Sequence, residues 1–119
     1  MIITEADVNK IVIDAVTPYV PACVYGAYTG TNTTYCYFLL PRTETVQNGD
    51  DDAIIDSVPL QLHLFTPNSF ITLRKQIKLA LKKAGFTKPN VTCLYETDTK
   101  LNHIIFECDI LVASEKEEV

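Results

Sequence analysis

The sequence predicts an α+β protein: one mixed or antiparallel β-sheet with two amphipathic helices packed on one of its faces. Three observations carry this. Apolar residues recur at helical spacing in the stretches 8–19 and 70–84, alternate with polar ones at strand spacing in the segments between and after, and the last two strands flank a polar hairpin tip. A sheet with both helices on one side is then the economical packing, a sandwich of two layers. The 119 residues suit a single domain over 1–119, with 113–119 ("SEKEEV" at its end) read as a frayed, charged tail.

The elements follow in order. Thr4-Glu5-Ala6-Asp7 resembles a capping box with Asp7 where Glu or Gln is usual, and Val8, Ile11, Val12, Ala15, Val16 and Tyr19 then recur at helical spacing. Pro18 and Pro21 end this helix, because proline has no N–H to donate and restricts the residue before it. A short strand near Cys23 to Tyr25 and a turn rich in Gly, Thr and Asn lead to a strand from about Thr34 to Leu40. That second strand is apolar on both faces, as expected of a central strand covered by a helix on one side and by a neighbouring subunit on the other. Arg42 to Ser57 reads as a long acidic loop, in which Asn48-Gly49 is a turn signal.

Val58, Leu60, Leu62 and Leu64 alternate with Pro59, Gln61, His63 and Phe65, the pattern of a half-buried strand. Thr66-Pro67-Asn68-Ser69 supplies cap candidates for the clearest helix of the chain. Phe70, Leu73, Ile77, Ala80, Leu81 and Ala84 fall on one side of it, and Arg74, Lys75, Lys78, Lys82 and Lys83 on the other. Gly85 follows as C-terminal cap, with Phe86 placed to pack back. Pro89 opens a strand carrying Val91, Cys93 and Tyr95 on one face. After the tip "ETDTKLNH" the final strand places Ile104, Phe106, Cys108, Ile110 and Val112 on one face and His103, Ile105, Glu107, Asp109 and Leu111 on the other.

An apolar fraction of 47% and a charged fraction of 21% are ordinary for a soluble globular protein, and no apolar run is long enough to span a membrane. The N-terminal "MIITEADVNK" places acids where a secretory signal carries basic residues, so no export signal is expected. Cys23, Cys36, Cys93 and Cys108 have no CxxC spacing and sit in apolar or alternating stretches, which reads as buried reduced thiols. Fifteen acids against ten bases give a net charge of −5, which disfavours generic affinity for phosphate backbones. The distribution is uneven: between Ser57 and Tyr95 there is no acid, and six of the ten bases fall there.

Three clusters are candidate sites. Asp50, Asp51, Asp52 and Asp56 lie in "NGDDDAIIDS" without the alternating carboxylates and later bidentate Glu of a calcium loop, so no metal is expected and a solvated or partner-facing loop is. His63 and His103 could share the less apolar sheet face with Gln61, Glu107 and Asp109, the start of a catalytic or metal constellation. The competing reading is a cross-strand pair contributing roughly 0.2–1 kcal/mol. No nucleophile with a matched base and no phosphate cradle stands out, so neither an enzyme nor a cofactor is expected. The basic helix face has three readings: solvated surface, nucleic-acid contact through helix 70–84, or docking against an acidic patch. A basic helix and a separate acid-rich loop on one chain also suit a head-to-tail contact between copies, which closes into a ring where the rotation permits.

The strand "VPLQLHLFTP" feeding directly into a helix that ends Ala-Gly-Phe, with the leading helix, the early strand "TYCYFLL" and a closing hairpin ending "HIIFECDI", resembles the tail-completion or tail-terminator proteins of long-tailed bacteriophages and prophages. The resemblance covers roughly residues 4 to 112. It implies a protomer of a ring, expected to be a hexamer, at the head-proximal end of the tail tube. Such a ring stops tube polymerisation and meets the head-tail connector. The implied partners are copies of itself, the tube protein and the connector or stopper protein. DNA would pass through the lumen without specific binding, and the place is the virion, assembled in the bacterial cytoplasm. In such a ring the acidic loop from Gln47 to Asp56 would stand at a subunit contact, at the tube or connector surface, or along the lumen. Arg74, Lys75, Lys78 and Lys82 would be the opposite charges, and His103, Glu107 and Asp109 the sheet-face contacts. A head-completion or adaptor protein of the neck is the neighbouring alternative.

Overall fold

The computed structural model describes residues 3–47 and 55–114. Its elements are α1 (Val8–Val16), β1 (Cys23–Tyr25), β2 (Tyr35–Leu39), β3 (Glu44–Gln47), β4 (Ile55–Thr66), α2 (Ile71–Ala84), β5 (Asn90–Glu96) and β6 (Leu101–Ala113), with a single turn of 3-10 helix over Glu5–Asp7 ahead of α1. The strands form one mixed sheet in the order β1-β2-β4-β6-β5, with β3 also paired to β4. Only the β1–β2 pair is parallel among the described strands. This is the α+β architecture expected from the sequence.

The pairing of β4 with β6 runs unbroken from Ile55↔Ala113 to Thr66↔Asn102. Because strand side chains alternate, this register puts the even-numbered residues of both strands on one face. Val58, Leu60, Leu62 and Leu64 of β4 and Ile104, Phe106, Ile110 and Val112 of β6 are buried there under both helices. Val8, Val12 and Val16 of α1 and Ile77 and Leu81 of α2 close that core, and the helices also pack on each other. The capping arrangement ahead of α1 forms with Asp7 in the Glu position: the Thr4 N–H and hydroxyl both donate to the Asp7 carboxylate. Tyr19, expected on the core side, lies past the end of α1 and is exposed.

A proline within a central strand needs an account, since it lacks a ladder donor. Asp109, opposite Pro59, turns its backbone N–H and C=O toward Thr87, away from β4. Pro59 therefore faces its own missing N–H to the other edge of β4. On that edge β3 pairs as far as Ser57 and β2 begins at Gln61, so the proline falls in the gap between them.

Two expectations are corrected. The stretch Arg42 to Ser57 is not a loop throughout: Glu44–Gln47 pairs antiparallel with the start of β4, making a hairpin whose connection is residues 48–54. β-branched Thr45, Val46, Ile54 and Ile55 on either side of the Asn48-Gly49 turn signal carried that information, masked by the run of acids. Second, Cys93 is exposed, because β5 is an edge strand that α2 only partly overhangs. Cys23, Cys36 and Cys108 are buried as expected. Burial pushes the Cys23 and Cys108 thiols up to about 12, and Cys36 well upward. Titration with a thiol-reactive disulfide on the native chain is therefore expected to modify Cys93 alone, and all four thiols after denaturation.

α2 ends in a complete Schellman arrangement: Gly85 donates to the Lys82 carbonyl, and Phe86 donates to the Leu81 carbonyl and buries its ring. Gly85 has φ +114°, and an added Cβ would lie 3.4 Å from Ile110 Cδ1. An L-residue is strained at that φ, so Gly85→Ala is expected to cost about 1–2 kcal/mol, measured by chemical denaturation.

Candidate functional site

The odd-numbered residues of β4 and β6 make the second face of the sheet, which no described helix covers. Register sets its rows. Tyr35, Phe65, His103 and Leu94 lie side by side across four strands, and the next row is Tyr37, His63, Ile105 and Thr92. The rings of these rows stack: Tyr28 on Tyr35 at 4.4 Å, Tyr35 on Phe65 at 5.1 Å, Phe65 on His103 at 4.2 Å, and Tyr37 on His63 at 4.7 Å between centroids. Flat rings crossing strands at these spacings add cross-strand stabilisation beyond the area they bury.

At the centre of the band His63 Nδ1 and His103 Nε2 are 2.8 Å apart. One ring donates and the other accepts. His103 Nδ1 faces the Glu96 carboxylate at 3.6 Å, while His63 Nε2 is buried with no hydrogen-bond partner among the described residues. The arrangement in which His63 donates through Nδ1 leaves only a bare lone pair buried at Nε2, which is the less costly choice. The sequence placed His63 and His103 on one face; the structure makes them direct partners.

Glu107 lies on the same face and is exposed, beyond Gln61 in the third row. Asp109 shares the face, but its carboxylate is taken up within the chain. Ser57 Oγ donates to it at 2.7 Å and Thr87 Oγ1 at 2.9 Å, tying the segment after α2 to β6. Asp56 points to the opposite face, is buried, and accepts a hydrogen bond from Thr45 Oγ1 at 3.1 Å, so it braces the β3–β4 hairpin. Asp50, Asp51 and Asp52 lie outside the described residues.

Four of the five bases expected on one side of α2 line one groove, Lys83 not among them, and bring an apolar component with them. Arg74, Lys75, Lys78 and Lys82 of α2, with Lys88, rim a groove of about 420 Å³ along the outer side of the helix. Its floor is Ile71, Leu79 and Pro89, with Ile71 57% and Leu79 58% exposed. None of these five cations is within ion-pair distance of a carboxylate among the described residues. Arg74 stacks over Phe70 and reaches Cys93 Sγ at 3.3 Å. Sequence pattern alone does not single out the aromatic band or the groove floor. Tyr35 and Tyr37 at a spacing of two were the available signal for the first, and Ile71 and Leu79 off the core stripe of α2 for the second.

Burial holds the His63 imidazole below its ordinary value of 6.5; the neighbouring His103 pushes the same way and Glu107 opposes. Burial also lowers His103, against the pull of Glu96. The folded chain thus binds these protons less readily than the unfolded one. The stability each neutral ring contributes is intact above pH 6.5 and is lost as pH falls from there through the lowered folded value. The denaturant midpoint is expected to drop as pH falls below about 6.5, and His63→Phe/His103→Phe to flatten that slope.

No protein-family model matches this chain, and no curated protein matches it. Among solved structures the chain is similar to one from a particle described as the virion of a native gene transfer agent. The identity is 11% over 86% of this chain and 84% of that one, with a TM-score of 0.49. A likeness at that level carries no argument about function.

Proposed function

We propose that this chain is a structural subunit of a phage-type particle, forming a ring at the head-proximal end of the tail tube that stops tube polymerisation and offers a surface to the head-tail connector. The observation that carries this reading is the division of the molecule into two layers of unequal cover. One sheet face is sealed by α1 and α2, while the other presents ordered stacked rings and no covering layer among the described residues. A sheet that builds so much side-chain order on an open face is suited to receive another surface. The order of elements supports the same reading, since the leading helix, the β4-to-α2 junction ending at Gly85-Phe86 and the closing β5–β6 hairpin carry the resemblance to tail-terminator proteins.

In this reading the chain turns over no substrate and needs no cofactor. Copies of itself, expected as a hexamer, the tube protein and the connector or stopper protein are its partners. DNA passes the lumen unread, and the ring forms in the bacterial cytoplasm before joining the virion. No helix among the described residues is long and apolar enough to cross a membrane. A head-side adaptor of the same neck is the neighbouring alternative. The groove lined by five cations favours one reading of another class, a nucleic-acid module. That reading predicts DNA affinity falling steeply with salt, because each phosphate contact releases counterions.

Electron microscopy of particles made with and without the gene tests the proposal. Loss of the gene is expected to give tails of irregular length that fail to join heads, and the protein is expected as a ring at the tail's upper end. Normal tails with heads that leak DNA would move the chain to the head side, and normal infectious particles would overturn a particle role.

A further inference from the structure

We infer that the groove on α2 is the receptor for the β3–β4 connection of a second copy of this chain, entered by Asp50, Asp51, Asp52 and Ile54. The inference rests on the ring reading above and gives that ring its copy-to-copy contact. Three observations carry it.

The first is charge. Five cations rim the groove and none is paired among the described residues, while the chain's densest run of acids is Asp50-Asp51-Asp52. A cluster of like charge, unpaired among the described residues, on a chain of net charge −5 is complementary to that run, and charge complementarity fixes both partner and register. The second is the floor. Ile71 and Leu79 are each more than half exposed, and a phosphate backbone has no use for apolar floor area. The acidic run continues into Ala53-Ile54, which supplies the apolar anchor such a floor accepts beside its charges.

The third is position. Gln47 and Ile55, the described ends of the connection, stand at the Ala113 end of the sheet. Lys88 and Pro89 of the groove lie beside the other half of β6, next to the Asn90↔Glu107 pair. Ala113 is six steps along β6 from Glu107, about 20 Å of strand at 3.3 Å per residue, in a molecule whose longest extent is 53 Å. The described ends of the connection and the groove therefore stand apart on one protomer. Joining them between copies is a head-to-tail contact, the kind that closes into rings.

The test uses a fluorescein-labelled peptide of residues 47–57, titrated with the full chain by fluorescence anisotropy, alongside a labelled single-stranded oligonucleotide. Binding of the peptide is expected, at least tenfold weaker to Lys78→Glu/Lys82→Glu and for a peptide carrying Asp50→Asn, Asp51→Asn and Asp52→Asn. Lys82 is exposed and Lys78 half-buried at the rim of the groove, and an unchanged circular dichroism spectrum and melting temperature certify the variant's fold. No peptide binding to the wild-type chain, equal binding to wild type and variant, or binding of the oligonucleotide in the peptide's place would each overturn the inference. Particle microscopy separates the two readings. A ring in particles whose subunit fails to bind the peptide sinks the contact alone, and a chain absent from particles sinks the ring reading even if the peptide binds.

Discussion

The long antiparallel pairing of β4 with β6 is the constraint from which the rest of the molecule follows. Every side chain on those strands is assigned to a face by that register, and a slip of one residue would carry Leu60, Leu62 and Leu64 out to the open side and bring His63 and Gln61 under the helices. The cost of such a slip, several large apolar side chains exposed and several polar groups buried, is what makes the register unique. Pro59 reinforces it: only where β2 and β3 leave a gap does its missing donor go unnoticed.

With the register set, the two faces take different work. The helix face is sealed by α1 and α2, whose buried stripes are narrow and complementary, while the open face gathers rings. Its order comes from stacking across strands and from one imidazole pair, which explains how a face with no covering layer among the described residues keeps Phe65 only 7% exposed. Asp109 works at the boundary between these regions. By accepting from Ser57 and Thr87 it fixes the turn after α2 against the sheet, which holds Lys88 and Pro89 beside the helix as one wall of the basic groove.

What was readable in the sequence divides along the same line. Local signals were sufficient for α2, where apolar spacing, late lysines and Gly85 all agree, and for the alternation of β4 and β6. Features that depend on which strand lies beside which were not readable. Tyr35, Phe65 and His103 are separated by dozens of positions, and nothing local says that they stack. Cys93 has the surroundings of a buried strand residue, and only its place on the edge of the sheet exposes it. Asp56 looked like the last member of an acidic surface run; its parity in β4, invisible until β3 is recognised, turns it inward instead.

The same ladder has a kinetic side. Thr66 and Asn102 are 36 positions apart and Ile55 and Ala113 are 58 apart, so the central pairing closes only after α2 and β5 have been gathered between its strands. Contacts so distant along the chain make for a high contact order and slow folding, in the range of sheet proteins rather than helical bundles. During synthesis β4 leaves the ribosome before β6 exists, with β2 and β3 already made to pair on one edge and the other edge open. α2 is the part of the intervening segment that can form locally, and its stripe of Ile77 and Leu81 joins that of α1, already made, in the finished core. The helix that lies between the two halves of the chain's most distant contact is thus also an element able to form before that contact closes.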